Sequence, residues 1–159
     1  MGLPHELVRE TFQQELERAK VIADKAGFDL EGDAEALAIR ARYTAHDGEQ
    51  YILVGEFDDY KAQPPLLDFE EFDTGKRGTH RAYPWSSYDS FFHPEPIICA
   101  PFSRKAYKKV HTNWQLAGWM NSTEQGVQWS QYTTMPSMLL LIHKRLRHPQ
   151  QYQRRMLPP

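Results

Sequence analysis

The run Leu37-Ala38-Ile39-Arg40-Ala41-Arg42-Tyr43-Thr44-Ala45-His46-Asp47-Gly48-Glu49-Gln50-Tyr51-Ile52-Leu53-Val54-Gly55-Glu56-Phe57 holds two strand patterns around one turn. Leu37, Ile39, Ala41 and Tyr43 alternate with Ala38, Arg40 and Arg42, the period of a half-buried strand. Tyr51 to Phe57 is rich in β-forming residues. Asp47-Gly48 stands between them, and Asp-Gly is a strong hairpin signal because both residues tolerate a left-handed backbone. On either side, Phe28 to Leu30 predicts a short earlier strand. Leu66 to Phe72, after the turn-forming Pro64-Pro65, predicts a later one. The expectation is an antiparallel meander of three or four strands.

Helices flank the meander. Over residues 4–26, Val8, Phe12, Leu16, Ala19, Ala23 and Ala26 recur at steps of three and four and form one apolar face. Pro4 suits a first helical turn, and Gly27 suits the residue after a helix end. A second helix is predicted over 135–147, with Met135, Met138, Leu139, Ile142 and Leu146 on one face. Thr134 is placed to cap it, and Pro149 stops it. His143, Lys144, Arg145, Arg147 and His148 crowd the end where the helix dipole favours positive charge. Residues 73–92 show no period and read as a long loop pinned by aromatic packing. Ser103 to Lys109 reads as a basic helical turn. The fold class is therefore α+β, in one domain spanning 1–159.

Composition narrows the function. A content of 40% hydrophobic and 25% charged residues is ordinary for a soluble globular chain of 159 residues. The longest apolar run, Met138 to Ile142, is far too short to span a membrane, so no membrane partner is expected. A lone cysteine forms no internal disulfide, and a reducing cytoplasm suits it. The net charge of −2 hides a polarity: residues 1–95 hold 20 of the 21 acids and 10 of the 19 bases. Basic and aromatic residues mix between 103 and 128, but no nucleic-acid-binding motif accompanies them, so that partner is not favoured.

The single cysteine lies in His93-Pro94-Glu95-Pro96-Ile97-Ile98-Cys99, with Pro101 just beyond. Three prolines stiffen this segment and remove three amide donors, so it reads as a fixed irregular loop. A thiol there is either a nucleophile, if accessible as thiolate, or a small buried apolar group. A metal site built from Cys99 with His80, His93 or His111 matches no zinc-finger spacing. A cysteine hydrolase pairing Cys99 with a histidine is a matter for geometry.

Tyr60-Lys61-Ala62-Gln63-Pro64-Pro65-Leu66-Leu67-Asp68-Phe69 follows the meander, His93-Pro94-Glu95 precedes Ile98-Cys99, and Trp129-Ser130 and Thr134 precede the apolar helix that ends at Pro149. In this order and spacing the chain resembles the ubiquitin-conjugating enzymes, whose motif after the meander is Tyr-Pro-x-x-Pro-Pro-x-Val-x-Phe. The departures resemble the divergent bacterial members, encoded beside a ubiquitin-like protein and its activating enzyme in systems that include antiphage defence. Lys61 replaces the first proline, Glu95 replaces the family's catalytic asparagine, and the gating acid falls near Gln153. His93 and Cys99 are also closer together than usual.

The resemblance implies a ubiquitin-conjugating-enzyme-like fold and a thioester-forming Cys99. Its partners would be a ubiquitin-like protein, an activating enzyme and a target protein, with no cofactor and no metal. His93 would hold the loop. Glu95 is a poor oxyanion donor, because an ionised carboxylate only accepts hydrogen bonds. His111, Asn113, Asn121 or a backbone amide could substitute. Arg9, Arg18 and Lys20 on the first helix would meet the activating enzyme. Cys99 is expected outside the sheet and partly accessible. A non-catalytic adaptor of the same fold is the alternative.

Overall fold

The computed structural model describes residues 4–109 and 133–155. Helix α1 spans His5–Ala26. Strands β1 (Asp29–Asp33), β2 (Ala38–Thr44), β3 (Gln50–Glu56) and β4 (Leu66–Glu70) follow, then the short helix α2 (Arg104–Lys109) and helix α3 (Met135–Arg147). The four strands form one antiparallel sheet in the order β1-β2-β3-β4. The meander is thus observed with four strands. β1 is longer than expected, and β4 stops at Glu70, where Glu71 N–H donates to Lys76 O and closes a turn. Gly48 takes φ +89° in the β2–β3 turn, a backbone that costs glycine nothing.

Strand alternation sorts the sheet into two faces. Ile39, Ala41 and Tyr43 stand opposite Gly55, Leu53 and Tyr51, with Leu67 and Phe69 next in register on β4. This face is buried under α1 and α3. The opposite face carries Arg40, Arg42, Asp68 and Glu70, and Arg40 pairs with Glu70 there.

α1 buries Val8, Phe12, Leu16, Ala19 and Ala23, as its periodicity predicts. Gly27, at φ +93°, ends it in the left-handed conformation. α3 starts with a reciprocal capping box between Thr134 and Ser137. Tyr43 OH donates to Leu139 O and joins this helix to the sheet. Two of its C-terminal basic groups are not spent on the helix dipole. Arg145 lies three residues past Ile142, on the buried stripe, and pairs with Asp89 while its guanidinium covers Phe91. His143 packs against Phe28 and Tyr43.

One buried residue on α1 is not apolar. Glu15 is 3% exposed. Its Oε1 accepts Tyr60 OH and Met135 N–H, each at 2.7 Å, and its Oε2 lies 2.6 Å from Lys61 Nζ. Lys61 also donates to Thr133 O at 2.6 Å. Met135 is the first residue of α3, so the carboxylate sits where the helix dipole favours a negative charge.

Glu15→Ala is expected to destabilise the fold by roughly 3–5 kcal/mol, because the largely buried Lys61 would lose its counter-ion and Tyr60 OH and the Met135 amide their acceptor. Glu15→Ala with Lys61→Met should recover part of that loss. Urea denaturation of both variants checks it, and simple additivity of the two substitutions would contradict the pairing. A second outcome concerns pH. Burial, aided by Arg147, holds the His143 imidazole below its usual range. The unfolded chain therefore binds the extra proton first, so stability contributed by neutral His143 is present above about pH 6.5 and is lost as pH falls below it. Melting temperatures from pH 8 to 5 should show this slope, reduced in His143→Phe.

Candidate active site on the Cys99 segment

The irregular chain from 71 to 103 is held to the sheet by rings. Phe69 on β4 meets Tyr83 at 5.0 Å and Phe92 at 6.4 Å between centroids. Phe92 meets Phe91 at 5.0 Å, and Phe91 meets Phe102 at 6.4 Å. This is the aromatic pinning that the composition of 73–92 predicts, although Tyr88 remains exposed.

Backbone bonds then shape the segment bearing Cys99. Phe92 and Ile98 form an antiparallel bridge, and Cys99 N–H donates to Phe91 O at 2.8 Å. Ile97 N–H donates to Glu95 O at 2.7 Å, which closes the turn. His93 Nδ1 accepts Glu95 N–H at 3.0 Å, so the neutral ring carries its proton on Nε2. That bond ties the His93 ring to the backbone of its own loop and occupies Nδ1. Glu95 itself is exposed.

Arg155 closes the arrangement from the C-terminal side. Its guanidinium donates to Pro94 O at 3.0 Å and His93 O at 3.1 Å, and to Tyr83 O and Pro84 O at 3.4 Å. One rigid fork thereby joins two loops. Gln153 pairs its backbone with Trp85, and its side chain accepts Ser87 N–H at 3.1 Å. The residue at the expected gating position is therefore a structural link.

Cys99 stands outside the sheet, as expected, but it is not partly accessible: only 4% of its surface is exposed. Alternation explains why. Ile98 and Ala100 enter the main core, which sends Ile97 and Cys99 to the other side, against Ala106 of α2. α2 is docked by charge. Arg104 pairs with Asp58 at 2.9 Å and donates to Pro64 O at 2.9 Å. Its amide donates to Pro65 O at 3.0 Å. Lys105 bridges both Asp68 oxygens at 2.9 and 3.0 Å, and Asp68 also accepts Tyr83 OH. Burial, with the nearby Cys99 adding to it, pushes the Tyr107 hydroxyl far above its usual range.

Three open surface clefts among the described residues do not include Cys99. One lies beside Phe72 and Arg81, one along α1 between Arg9 and Glu35, and one between Asp24 and Arg40. Among the described residues no group of three metal-ligating side chains is gathered. His111, Asn113, Asn121 and Trp129 lie outside the described residues. On α1, Arg18 and Lys20 are exposed, whereas Arg9 is half-buried and paired with Glu35 at 2.7 Å. Among the described residues no helix is long and apolar enough to cross a membrane.

Sequence reasoning missed Glu15, Arg104 and Arg155. Only Glu15 left a signal, since it falls three residues after Phe12, within the apolar stripe. Comparison of the chain with family models, curated proteins and solved structures finds no match.

Proposed function

We propose that this protein is a ubiquitin-like-protein conjugating enzyme of the ubiquitin-conjugating-enzyme fold, with Cys99 as its acceptor. The observation that supports this reading best is chain order in space. Helix α1 leads into a four-stranded antiparallel meander, Pro64-Pro65 precedes the last strand, and α3 packs on the same face as α1. The proline-stiffened segment with His93 and Cys99 lies outside the sheet, between β4 and α3 in the chain.

The chemistry is two acyl transfers with no redox change. The Cys99 thiolate attacks the activating enzyme's thioester at the modifier's C-terminal carbonyl. A new S–C bond forms, and the activating enzyme's cysteine leaves as thiolate. A target amine then attacks the same carbonyl, an amide bond forms, Cys99 leaves as thiolate, and the amine's proton passes to solvent. Sulfur suits both steps, because thiolate is a strong nucleophile and a good leaving group. Exposed Arg18 and Lys20 on α1 are the cationic groups that would meet the activating enzyme. A bacterial setting, with antiphage defence as its context, belongs to the same proposal.

The 4% exposure of Cys99 favours a second reading, a non-catalytic adaptor of the same fold. One experiment separates them. The protein is incubated with ATP, a ubiquitin-like protein and an activating enzyme from its own genome. The conjugating enzyme gains a band heavier by one modifier that disappears with thiol reductant. Cys99→Ser gives at best a reductant-resistant ester, and Cys99→Ala gives no band. Charge reversal at Arg18 and Lys20 slows loading without moving the melting temperature, since exposed charges contribute little to stability. Conjugation by Cys99→Ala at the wild-type rate would leave the adaptor.

A further inference from the structure

One margin of the sheet is covered and the other is open. Beyond β4, Gly78 N–H donates to Phe69 O at 3.0 Å, and Glu70 forms an antiparallel bridge with Arg77. β1 lies at the opposite margin and pairs with β2. Among the described residues no other backbone group bonds to the main chain of Asp29–Asp33. Every second residue of such an edge strand turns its N–H and C=O away from its neighbour, where they can pair with a further strand. We propose that the free edge of β1 is a docking site for an extended, basic segment of another protein, which adds to the sheet as a fifth strand with cations at alternate positions. This surface does not involve Cys99 and does not rest on the conjugating-enzyme reading.

Charge decides the chemistry of the occupant. Asp29, Glu31 and Asp33 fall at alternate positions of β1, so they share one face, and all three are exposed. Asp33 is used in the β1–β2 turn, where it accepts Glu35 N–H and Ala36 N–H. Asp29 and Glu31 are not used in this way. Arg42 stands opposite Asp29 and Arg40 opposite Glu31, yet both arginines lean toward β4. Arg40 pairs with Glu70, and the Arg42 guanidinium lies 5.2 Å from the centre of the Phe72 ring. Among the described residues Asp29 and Glu31 therefore have no ion-pair partner. A cleft of about 340 Å³ opens beside them, reaching Asp24 of α1 and Leu30, with room for a long side chain. A lysine or arginine on the same face of an added strand would stand about 5 Å from these carboxylates, the spacing of neighbouring strands.

The edge is also held in place. A side chain at Gly32 would meet Leu16 at 2.5 Å, so β1 lies with its backbone close against α1. A fixed template spares the incoming strand part of the cost of ordering. The same carboxylates argue against a second copy of this chain as the occupant. Two β1 edges joined about a two-fold axis would set acids against acids, and like charges opposite one another destabilise a sheet.

The probe is a fluorescent peptide, Lys-Val-Lys-Val-Lys-Val, titrated with the full chain at low salt and followed by anisotropy. Two controls keep its charge. One is N-methylated at every residue and has no main-chain donors; the other has the order Lys-Lys-Lys-Val-Val-Val. Each control binds about tenfold more weakly, because an added strand needs its main-chain bonds and its alternation. The double variant Asp29→Asn, Glu31→Gln binds the alternating peptide about fivefold more weakly, from the loss of two cross-strand charge pairs. If that variant fails to fold, the three peptides decide on the wild-type chain. Amide hydrogen exchange locates the contact: the β1 amides slow when the alternating peptide is bound. No binding of that peptide, equal affinity for either control, or unchanged exchange in β1 would overturn the proposal. Slowing of β1 exchange as the concentration of the protein alone is raised would give the edge to a second copy and overturn it as well.

Discussion

The Glu15 carboxylate is the point at which three distant parts of the chain meet. It belongs to α1, it holds Tyr60 and Lys61 from the segment after β3, and it accepts the first amide of α3. A buried carboxylate is tolerable only when its oxygens are filled by donors, and here a hydroxyl, an amide and an ammonium fill them. Apolar packing of α1 and α3 on the sheet is non-directional and would allow the helices to slide. The carboxylate imposes one register, because its three partners must arrive together. Lys61 supplies the charge that Glu15 requires.

The long irregular chain between β4 and α2 has no ladder of its own. Its order comes from the ring series Tyr83, Phe69, Phe92, Phe91 and Phe102 and from arginines that take up backbone carbonyls. Arginine suits this task because its planar fork presents several donors in fixed directions. Arg155 binds four carbonyls and so does for two loops what a strand would do for a sheet. Arg145 adds a link of another kind, pairing with the Asp89 carboxylate while covering Phe91.

The thiol is thereby placed on a fixed backbone, since the Cys99 amide is bonded to Phe91 O. Its side chain is almost wholly buried and lies against Ile97 and Ala106.

The sequence by itself determined the elements whose signal is local. Strand alternation, the Asp47-Gly48 turn, the apolar stripes of α1 and α3, and the Thr134 cap all state their conformation within a few residues. The aromatic content of 73–92 likewise foretold a pinned loop. Tertiary structure alone decided the exposure of Cys99, because that depends on Ala106 arriving from a helix placed by Asp58, Asp68 and Pro64. It alone decided that Glu15 lies inside and that Arg145 turns inward, since a charge on a helix face is buried only if distant partners compensate it. It alone assigned Gln153 to Ser87, and His93 Nδ1 to the amide of Glu95. Local propensity acts through neighbouring residues, whereas burial and pairing of polar groups join residues that only the folded chain brings together.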